Sequence, residues 1–144
     1  MTLVKRLSNN NLLAISIGLA YLWFGLLKFF PGLSPAEELA KNTIDALTFG
    51  LIPTNISIIL LAIWETLVGA LLVLNFQRRL AIRLALVHLA FTFTPLFLFP
   101  EVAFSEPPFY FTLEGQYIFK NLILVAALFY LYRLPLTPLP AKMK

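Results

Sequence analysis

The chain has 144 residues, of which 60% are hydrophobic and only 12% are charged, against roughly 25% charged residues in soluble domains. This composition excludes an ordinary soluble domain and predicts a small protein embedded in a membrane. The absence of cysteine and the single histidine exclude disulfides, thiolate chemistry and iron–sulfur clusters, so we expect no metal site and no covalently bound cofactor.

Four apolar runs each approach the roughly 20 residues with which an α-helix crosses a hydrocarbon core. They cover residues 12–30, 56–74, 80–99 and 117–134. The connections between them leave no room for a second domain. Residues 1–144 are therefore predicted to form one all-α transmembrane domain, a four-helix bundle in the membrane.

One face of the first span carries small and polar residues at helical spacing, namely Gly18, Tyr21, Gly25 and Lys28. Small residues let membrane helices approach each other closely, so this face is predicted to point into the bundle. Lys28 has two interpretations. It is either a lysine that snorkels to the interface or an inward-pointing cation, because helical side chains tilt toward the amino terminus of their helix.

The segment after the first span predicts a short amphipathic helix on the outer surface. Ser34 suits the N-cap, Pro35 suits the first helical position and Glu37 would complete a capping box. Its polar side is predicted to carry Glu37, Glu38, Lys41 and Asp45. The helix is too short and too polar to cross the membrane, so it serves either as a lid or as a packing element.

The second span carries a carboxylate, Glu65, near its centre. Inserting an acidic residue there costs about 2.5 to 3.5 kcal/mol unless it faces the interior and finds a partner. His88, Thr92 and Pro95 share a face of the third span, where proline should kink the helix and free a carbonyl for Thr92 or a neighbouring helix. The short turn at residues 75–79 makes the two spans neighbours, and their depths place Glu65 within about 4 Å of His88 in height.

The last connection, residues 100–115, is rich in proline and aromatic residues and is predicted to form an ordered cap in the outer interface. A polar cluster follows it at the start of the fourth span. Glu114 there has a simple interpretation as a charge favoured by the helix dipole. Tyr117 and Lys120 share one helical face, with Asn121 beside it.

The basic residues gather at one side of the predicted membrane domain. If the amino terminus is cytoplasmic, most Lys and Arg residues lie inside, whereas every acidic residue except Glu65 lies outside. Such an asymmetry sets the orientation of membrane proteins. We therefore expect both termini in the cytoplasm, the lipid bilayer as the first partner, and no nucleic-acid partner despite the net charge of +4.

The polar groups of the four spans are predicted to line one cavity that opens outward. The primary candidates are Lys28, Glu65, His88, Thr92, Tyr117, Lys120 and Asn121, and the secondary candidates are Tyr21, Glu114 and Gln116. A buried Lys28–Glu65 pair is the simplest way to satisfy both charges. It either fixes the helix register only or belongs to a functional site, since ionisable groups inside membranes mark ligand or proton paths.

Four motifs resemble the DoxX family of small four-helix bacterial membrane proteins. They are residues 24–29, residues 65–69, His88 with Pro95, and residues 114–121. The resemblance implies a multi-pass fold in the bacterial inner membrane and a redox neighbourhood, since the family takes its name from a subunit of a thiosulfate:quinone oxidoreductase. It supplies no agreed catalytic residues.

Three functions follow as expectations. The first is a redox-associated subunit or accessory protein, with redox-complex partners and a central pocket for a quinone-like or other small ligand. The second is a non-catalytic scaffold of a larger complex, and the third is a small proton-coupled transporter with Glu65 and His88 as the relay. Catalytic activity and a homo-oligomeric state stay open.

Overall fold

The computed structural model describes residues 9–106 and 109–134, with side chains from residue 11 onward. The expectations for Lys5, Arg6, the Pro107–Pro108 pair and the tail 135–144 lie outside these residues. Eight helices and one β-hairpin make up the described part. They are α1 (Asn9–Leu27), α2 (Glu37–Leu47), α3 (Thr54–Val73), α4 (Arg78–Thr92), α5 (Pro95–Leu98), α6 (Pro100–Ala103), β1 (Phe104–Glu106), β2 (Tyr110–Phe111), α7 (Leu113–Phe119) and α8 (Asn121–Arg133).

Three helical stretches are long and apolar enough to cross a membrane, namely Thr54–Val73, Arg78–Leu98 and Leu113–Arg133. The first apolar helix is shorter, at Asn11–Leu27. Large apolar side chains such as Trp23 (66% exposed) and Ile123 (72% exposed) point outward from these helices. Such surfaces suit lipid chains rather than water, and the chain is accordingly a membrane protein of the all-α class.

The most extensive helix contact joins α1 to α3, and glycines make it possible. A Cβ atom on Gly69 would lie 2.7 Å from the Gly18 carbonyl oxygen, closer than side chains approach backbone, so only glycine fits here. α8 packs on α1 and α4, and α4 also packs on α3. The inward face predicted for the first span is confirmed, since its members Gly18, Tyr21, Gly25 and Lys28 are all buried.

The capping box predicted for α2 is wrong. The helix begins at Glu37, and Ala36 before it has a left-handed backbone (φ 54°) without a side-chain cap. The Ser34 hydroxyl donates to the Pro35 carbonyl at 3.4 Å. The Glu37 carboxylate turns back and accepts from the Gly32 N–H at 2.8 Å, which explains why Glu37 is buried instead of lying on the solvent side.

Pro95 breaks the third apolar segment, with α4 ending at Thr92 and α5 beginning at Pro95. Proline has no N–H, so the Phe91 carbonyl loses its helical donor. That carbonyl accepts the Thr94 hydroxyl at 2.7 Å. The Thr92 hydroxyl, one of the donors expected for this carbonyl, donates instead to the Leu89 carbonyl at 2.7 Å.

The connection between α5 and α7 is ordered over its described part, as predicted, but it contains a hairpin that the sequence did not indicate. β1 pairs antiparallel with β2, with Phe104 opposite Phe111 and their rings stacked at 4.9 Å. Thr112 caps α7, since its hydroxyl oxygen accepts from the Gly115 N–H at 3.1 Å and donates to the Val102 carbonyl at 2.6 Å. We call the end formed by α2 and this hairpin the capped end.

The opposite end carries the turn between α3 and α4, the start of α1 and the end of α8, and we call it the arginine end. Between the two ends lies an apolar core of fully buried side chains from α3, α4 and α8. Its largest members are Leu72, Ile82, Leu89, Leu128 and Val68. Polar groups within the core therefore have to satisfy one another.

Candidate functional site

Buried polar groups of three helical segments meet at the boundary between the apolar core and the capped end. The Lys28 ammonium, directly after α1, donates to Glu65 Oε2 of α3 at 2.8 Å. The other carboxylate oxygen, Oε1, lies 3.2 Å from His88 Nε2 of α4. The predicted Lys28–Glu65 pair and the contact with His88 are thus both present, and one carboxylate joins three helices.

The contacts continue from His88 to Tyr21, which was a secondary candidate. The Tyr21 hydroxyl lies 3.1 Å from His88 Nδ1 and 3.2 Å from the Ala85 carbonyl oxygen. Tyr21 precedes Lys28 by seven residues, so the series of contacts extends about 10 Å along α1. We call Lys28, Glu65, His88 and Tyr21 the buried network.

The buried network is enclosed. The exposed side-chain fractions are 9% for Lys28, 7% for Glu65 and 12% for His88. The Lys28 ammonium also donates to the Phe24 carbonyl at 3.3 Å. Because a buried charge without a partner is strongly destabilising, these paired contacts are what allow ionisable groups to lie among apolar helices.

The network can accommodate two protonation states of His88. Nε2 faces the carboxylate and therefore carries a hydrogen in either state. In the neutral ring Nδ1 accepts from the Tyr21 hydroxyl, whereas in the charged ring Nδ1 donates to Tyr21, whose hydroxyl then donates to Ala85. A proton can thus be added or removed without leaving a polar group of the network unpaired.

Small residues bring the three helices close enough for these contacts. A Cβ atom on Gly25 would lie 3.0 Å from the Glu65 Cβ and 2.8 Å from the Thr66 amide nitrogen. Ala62 and Ala85, beside Glu65 and His88 on their own helices, are fully buried. The sequence indicated this close approach of the helices, because glycine and alanine occur at helical spacing from the charged groups.

A protein-family model matches residues 11–134, and it describes a domain of unknown function, DUF4383. The chain belongs to the DUF4383 family. No curated protein and no solved structure matches it. The matched region of this DUF4383 protein contains the whole buried network. Nothing in this match links the chain to the DoxX family that its motifs resemble.

Other candidates predicted from the sequence of this DUF4383 protein do not join the network. Lys120 is exposed, and its ammonium lies 4.2 Å from the centroid of the Tyr117 ring. The Gln116 amide donates to the Phe111 carbonyl at 3.5 Å, and Asn121 is half-buried at the start of α8. Within the described residues, no hydrogen bond or ion pair connects these side chains or Thr92 with the network, and their role in ligand binding stays a prediction.

Thr66 is a residue that sequence reasoning overlooked. Its buried hydroxyl has no hydrogen-bond partner in the described part of the chain, and it would lie 2.8 Å from a Cβ atom on Gly25. A buried hydroxyl without a hydrogen-bond partner lowers the free energy of unfolding. The only sequence signal was its position directly after the buried carboxylate.

A groove of about 440 Å³ lies at the capped end of this DUF4383 protein, and an adjoining pocket of about 230 Å³ shares Ala36, Glu38 and Glu114 with it. Glu114, a secondary candidate, therefore lines this groove. Lys41 lies 2.7 Å from Glu37 and 3.1 Å from Glu38. The hydrogen bond from Lys41 lowers the pKa of Glu37, as do the Gly32 N–H and, more weakly, the charge of Lys28.

Proposed function

We propose that this chain is a multi-pass protein of the bacterial inner membrane, a four-helix bundle with α2 on the outer surface and both termini in the cytoplasm. The arginine end carries Arg78, Arg79 and Arg83, whereas six of the seven acidic residues belong to α2, α6, β1 and α7. This distribution supports the orientation. Apolar residues just after α2, Phe49 (90% exposed) and Leu51 (82% exposed), support contact with lipid.

A reporter fusion tests the orientation. Fluorescent protein fused after residue 144 should fluoresce in bacterial cells, and alkaline phosphatase fused at the same place should be inactive, because phosphatase folds only outside the cytoplasm. The reverse pattern would refute this orientation. A phosphatase inserted after Gly50, at the capped end, serves as the matched control and should be active.

We infer that the buried network is the proton-exchanging site of a redox-associated subunit or accessory protein. Its ligand is a quinone-like or similarly small lipid-soluble molecule. The observation that carries this proposal is the series of carboxylate, imidazole and phenol, each within 3.2 Å of the next, inside an apolar helix core. The motifs that resemble the DoxX family support the redox association.

Each member of the network has a role in this proposal. Reduction of a quinone adds two electrons and two protons, and the site supplies protons while a redox partner supplies the electrons. Glu65 exchanges a proton, and His88, the most exposed of Lys28, Glu65 and His88, redirects its Nε2 hydrogen from Glu65 to a ligand carbonyl when the ligand binds. Lys28 holds the other oxygen of Glu65 in an ion pair, and Tyr21 contacts the second imidazole nitrogen.

Quinone binding by the purified protein tests the proposal. A water-soluble ubiquinone or menaquinone analogue should quench the fluorescence of Trp64 and remain bound in native mass spectrometry. The Glu65→Gln variant should bind it at least about tenfold more weakly, since a buried charged hydrogen bond is worth about 1.5 to 3 kcal/mol. Glu38→Gln, at a side chain that is 82% exposed, is the matched control and should bind normally. Absent binding, or binding that Glu65→Gln leaves unchanged, would refute the site.

A non-catalytic scaffold is the second candidate, and one observation favours it. Every ionisable group of the network already has a partner inside the chain, so the network stabilises the contact of α1, α3 and α4 without a ligand. A scaffold should co-purify with a stoichiometric partner protein from membranes. If the chain is a scaffold, a folded Glu65→Gln variant should co-purify with as much partner protein as the wild-type chain. If the network is a ligand site, the same variant should lose quinone binding.

A further inference from the structure

We propose that the surface where α4 meets the end of α8 binds the phosphate headgroup of an anionic phospholipid. This surface, which we call the arginine corner, consists of Arg79, Arg83, Tyr132 and Arg133. It lies at the arginine end, on the part of α4 that precedes His88, and shares no residue with the buried network, so the proposal needs only the membrane location of the chain. Its occupant is a lipid rather than a protein or a free anion.

Two helices contribute to the arginine corner. Arg83 Nη2 donates to the Tyr132 hydroxyl at 3.1 Å, and its guanidinium carbon lies 5.7 Å from the centroid of the Tyr132 ring. Arg79 precedes Arg83 by one helical turn on the same face of α4, and its charge also acts on the Tyr132 phenol. Arg133 is the next residue along α8, in its last turn. Two guanidinium groups of α4 therefore act on the Tyr132 phenol, and α8 adds a third, Arg133, in the same last turn.

No carboxylate of the described residues neutralises these charges. The seven acidic side chains of the chain lie in α2, α3, α6, β1 and α7, and the one in α3, Glu65, belongs to the buried network. Arg79, Arg83 and Arg133 are exposed and form no ion pair within residues 9–106 and 109–134. Arg83 uses one of its five N–H donors for Tyr132. The remaining donors match the bidentate geometry of a phosphate.

The apolar residues next to the corner indicate a lipid as the source of the phosphate. Val87 (47% exposed) lies one turn beyond Arg83 toward the centre of α4, and Phe129 (51% exposed) lies one turn before Arg133 on α8. A ligand that places its phosphate on the arginines would therefore lay its acyl chains on Val87 and Phe129. Arginine clusters between membrane helices bind anionic headgroups in this way.

Lipid titration of the full chain in a neutral detergent, followed by native mass spectrometry, tests the proposal. Phosphatidylglycerol should bind more tightly than phosphatidylcholine with the same acyl chains. Arg79→Gln combined with Arg83→Gln should weaken phosphatidylglycerol binding about 30-fold, because each basic residue near an anionic surface contributes about fivefold. Lys120→Gln is the matched control, since Lys120 is also an exposed cation over a tyrosine ring, and it should leave the affinity unchanged.

Three results would overturn the proposal. They are equal affinity for the two lipids, an unchanged affinity in the double arginine variant, and complete displacement of the lipid by inorganic phosphate at the same concentration, which would reveal a simple anion site. If the double variant does not elute as one folded species, the salt dependence of lipid binding by the wild-type chain replaces it as the test. Raising the salt concentration from about 50 mM to about 500 mM must weaken phosphatidylglycerol binding and spare phosphatidylcholine, and salt-independent binding overturns the proposal.

Discussion

Lys28 and Arg83 are both cations near the end of an apolar helix, yet the protein satisfies them in opposite ways. Lys28 is buried and paired with a carboxylate from another helix, whereas Arg83 is exposed and, among the described residues, bonds only to a neutral phenol. A buried pair ties helices together but becomes costly when either partner is lost. Substitution of an exposed cation has little effect on stability, and its charge is available to a partner outside the chain.

Removing Lys28 should have the largest effect on stability. The Lys28→Met variant leaves the Glu65 carboxylate buried without its cation, which should reduce the free energy of unfolding by about 3 to 5 kcal/mol. Arg83→Met removes an exposed cation and should cost at most about 1 kcal/mol. Unfolding of the detergent-solubilised protein with increasing dodecyl sulfate, followed by circular dichroism, measures both.

The double variant Lys28→Met with Glu65→Leu separates charge from packing. If the unpaired carboxylate causes the loss, removing it should restore most of the stability, since apolar replacements of buried ion pairs are often neutral or stabilising. Equal losses in Lys28→Met and Arg83→Met would contradict the contrast between the two cations. So would a double variant that is less stable than Lys28→Met alone.

The close contact of α1 with α3 should be the next most sensitive feature. Gly69→Val places a side chain where even a Cβ atom would lie 2.7 Å from the Gly18 carbonyl oxygen, so the helices must separate and stretch the Lys28–Glu65 contact. Overpacking of this kind costs about 1 to 3 kcal/mol. Thermal unfolding in detergent measures the loss. Ala126→Val, on the exposed side of α8, is the control, and an equal effect of both variants would contradict the role of Gly69.

The Tyr21 hydroxyl should contribute less, because it is one neutral hydrogen bond within the network. Tyr21→Phe removes the contacts with His88 and Ala85 and should cost about 1 kcal/mol. The matched change at the arginine corner, Tyr132→Phe, removes an exposed bond to Arg83 and should cost less than half as much. Dodecyl sulfate unfolding compares them directly. A larger loss from Tyr132→Phe would mean that the exposed corner, not the buried network, stabilises the fold.

The features that repeat at helical spacing could be predicted from the sequence. Helical spacing alone identifies the inward face of α1, with Gly18, Tyr21, Gly25 and Lys28. Glu65 and His88 could be predicted to meet because they lie at similar depths in the membrane on neighbouring helices. Longer-range details could not be predicted. Ser34 was predicted to cap α2 together with Glu37, but the Glu37 carboxylate accepts from the Gly32 N–H instead. Local residue preferences carry no information about which of two nearby N–H groups a carboxylate will accept from.

The start of the fourth span shows the same limit. Lys120 and Tyr117 share a face, which spacing predicts, but spacing does not tell whether that face turns inward. The structure pairs Lys120 with the Tyr117 ring at the surface, because a cation over an aromatic ring is satisfied without being buried. The hairpin of β1 and β2 was also missed, since strands of two or three residues leave no periodic pattern to read.

Glu37 at the capped end is intermediate between the buried Lys28 and the exposed Arg83, because it is buried yet paired with Lys41 near the surface. The hydrogen bond from Lys41, followed by the Gly32 N–H, lowers the pKa of Glu37. Its contribution to the docking of α2 is therefore complete above the usual glutamate pKa of about 4.3 and is lost as the pH falls through the lowered value. This should be the smallest effect, a local loosening with the buried network intact.

The chemical shift of the Gly32 amide proton reports this titration. It should change with a midpoint below the usual glutamate pKa, because the hydrogen bond from the amide to Glu37 weakens when the carboxylate takes up a proton. Glu37→Gln should remove the titration, and Glu38→Gln, at a carboxylate that contacts Lys41 but not Gly32, should preserve it. A midpoint above the usual value would mean that burial raises the pKa of Glu37 more than Lys41 lowers it. Glu37 would then behave as an unpaired buried carboxylate and would not be intermediate between the buried Lys28 pair and the exposed Arg83.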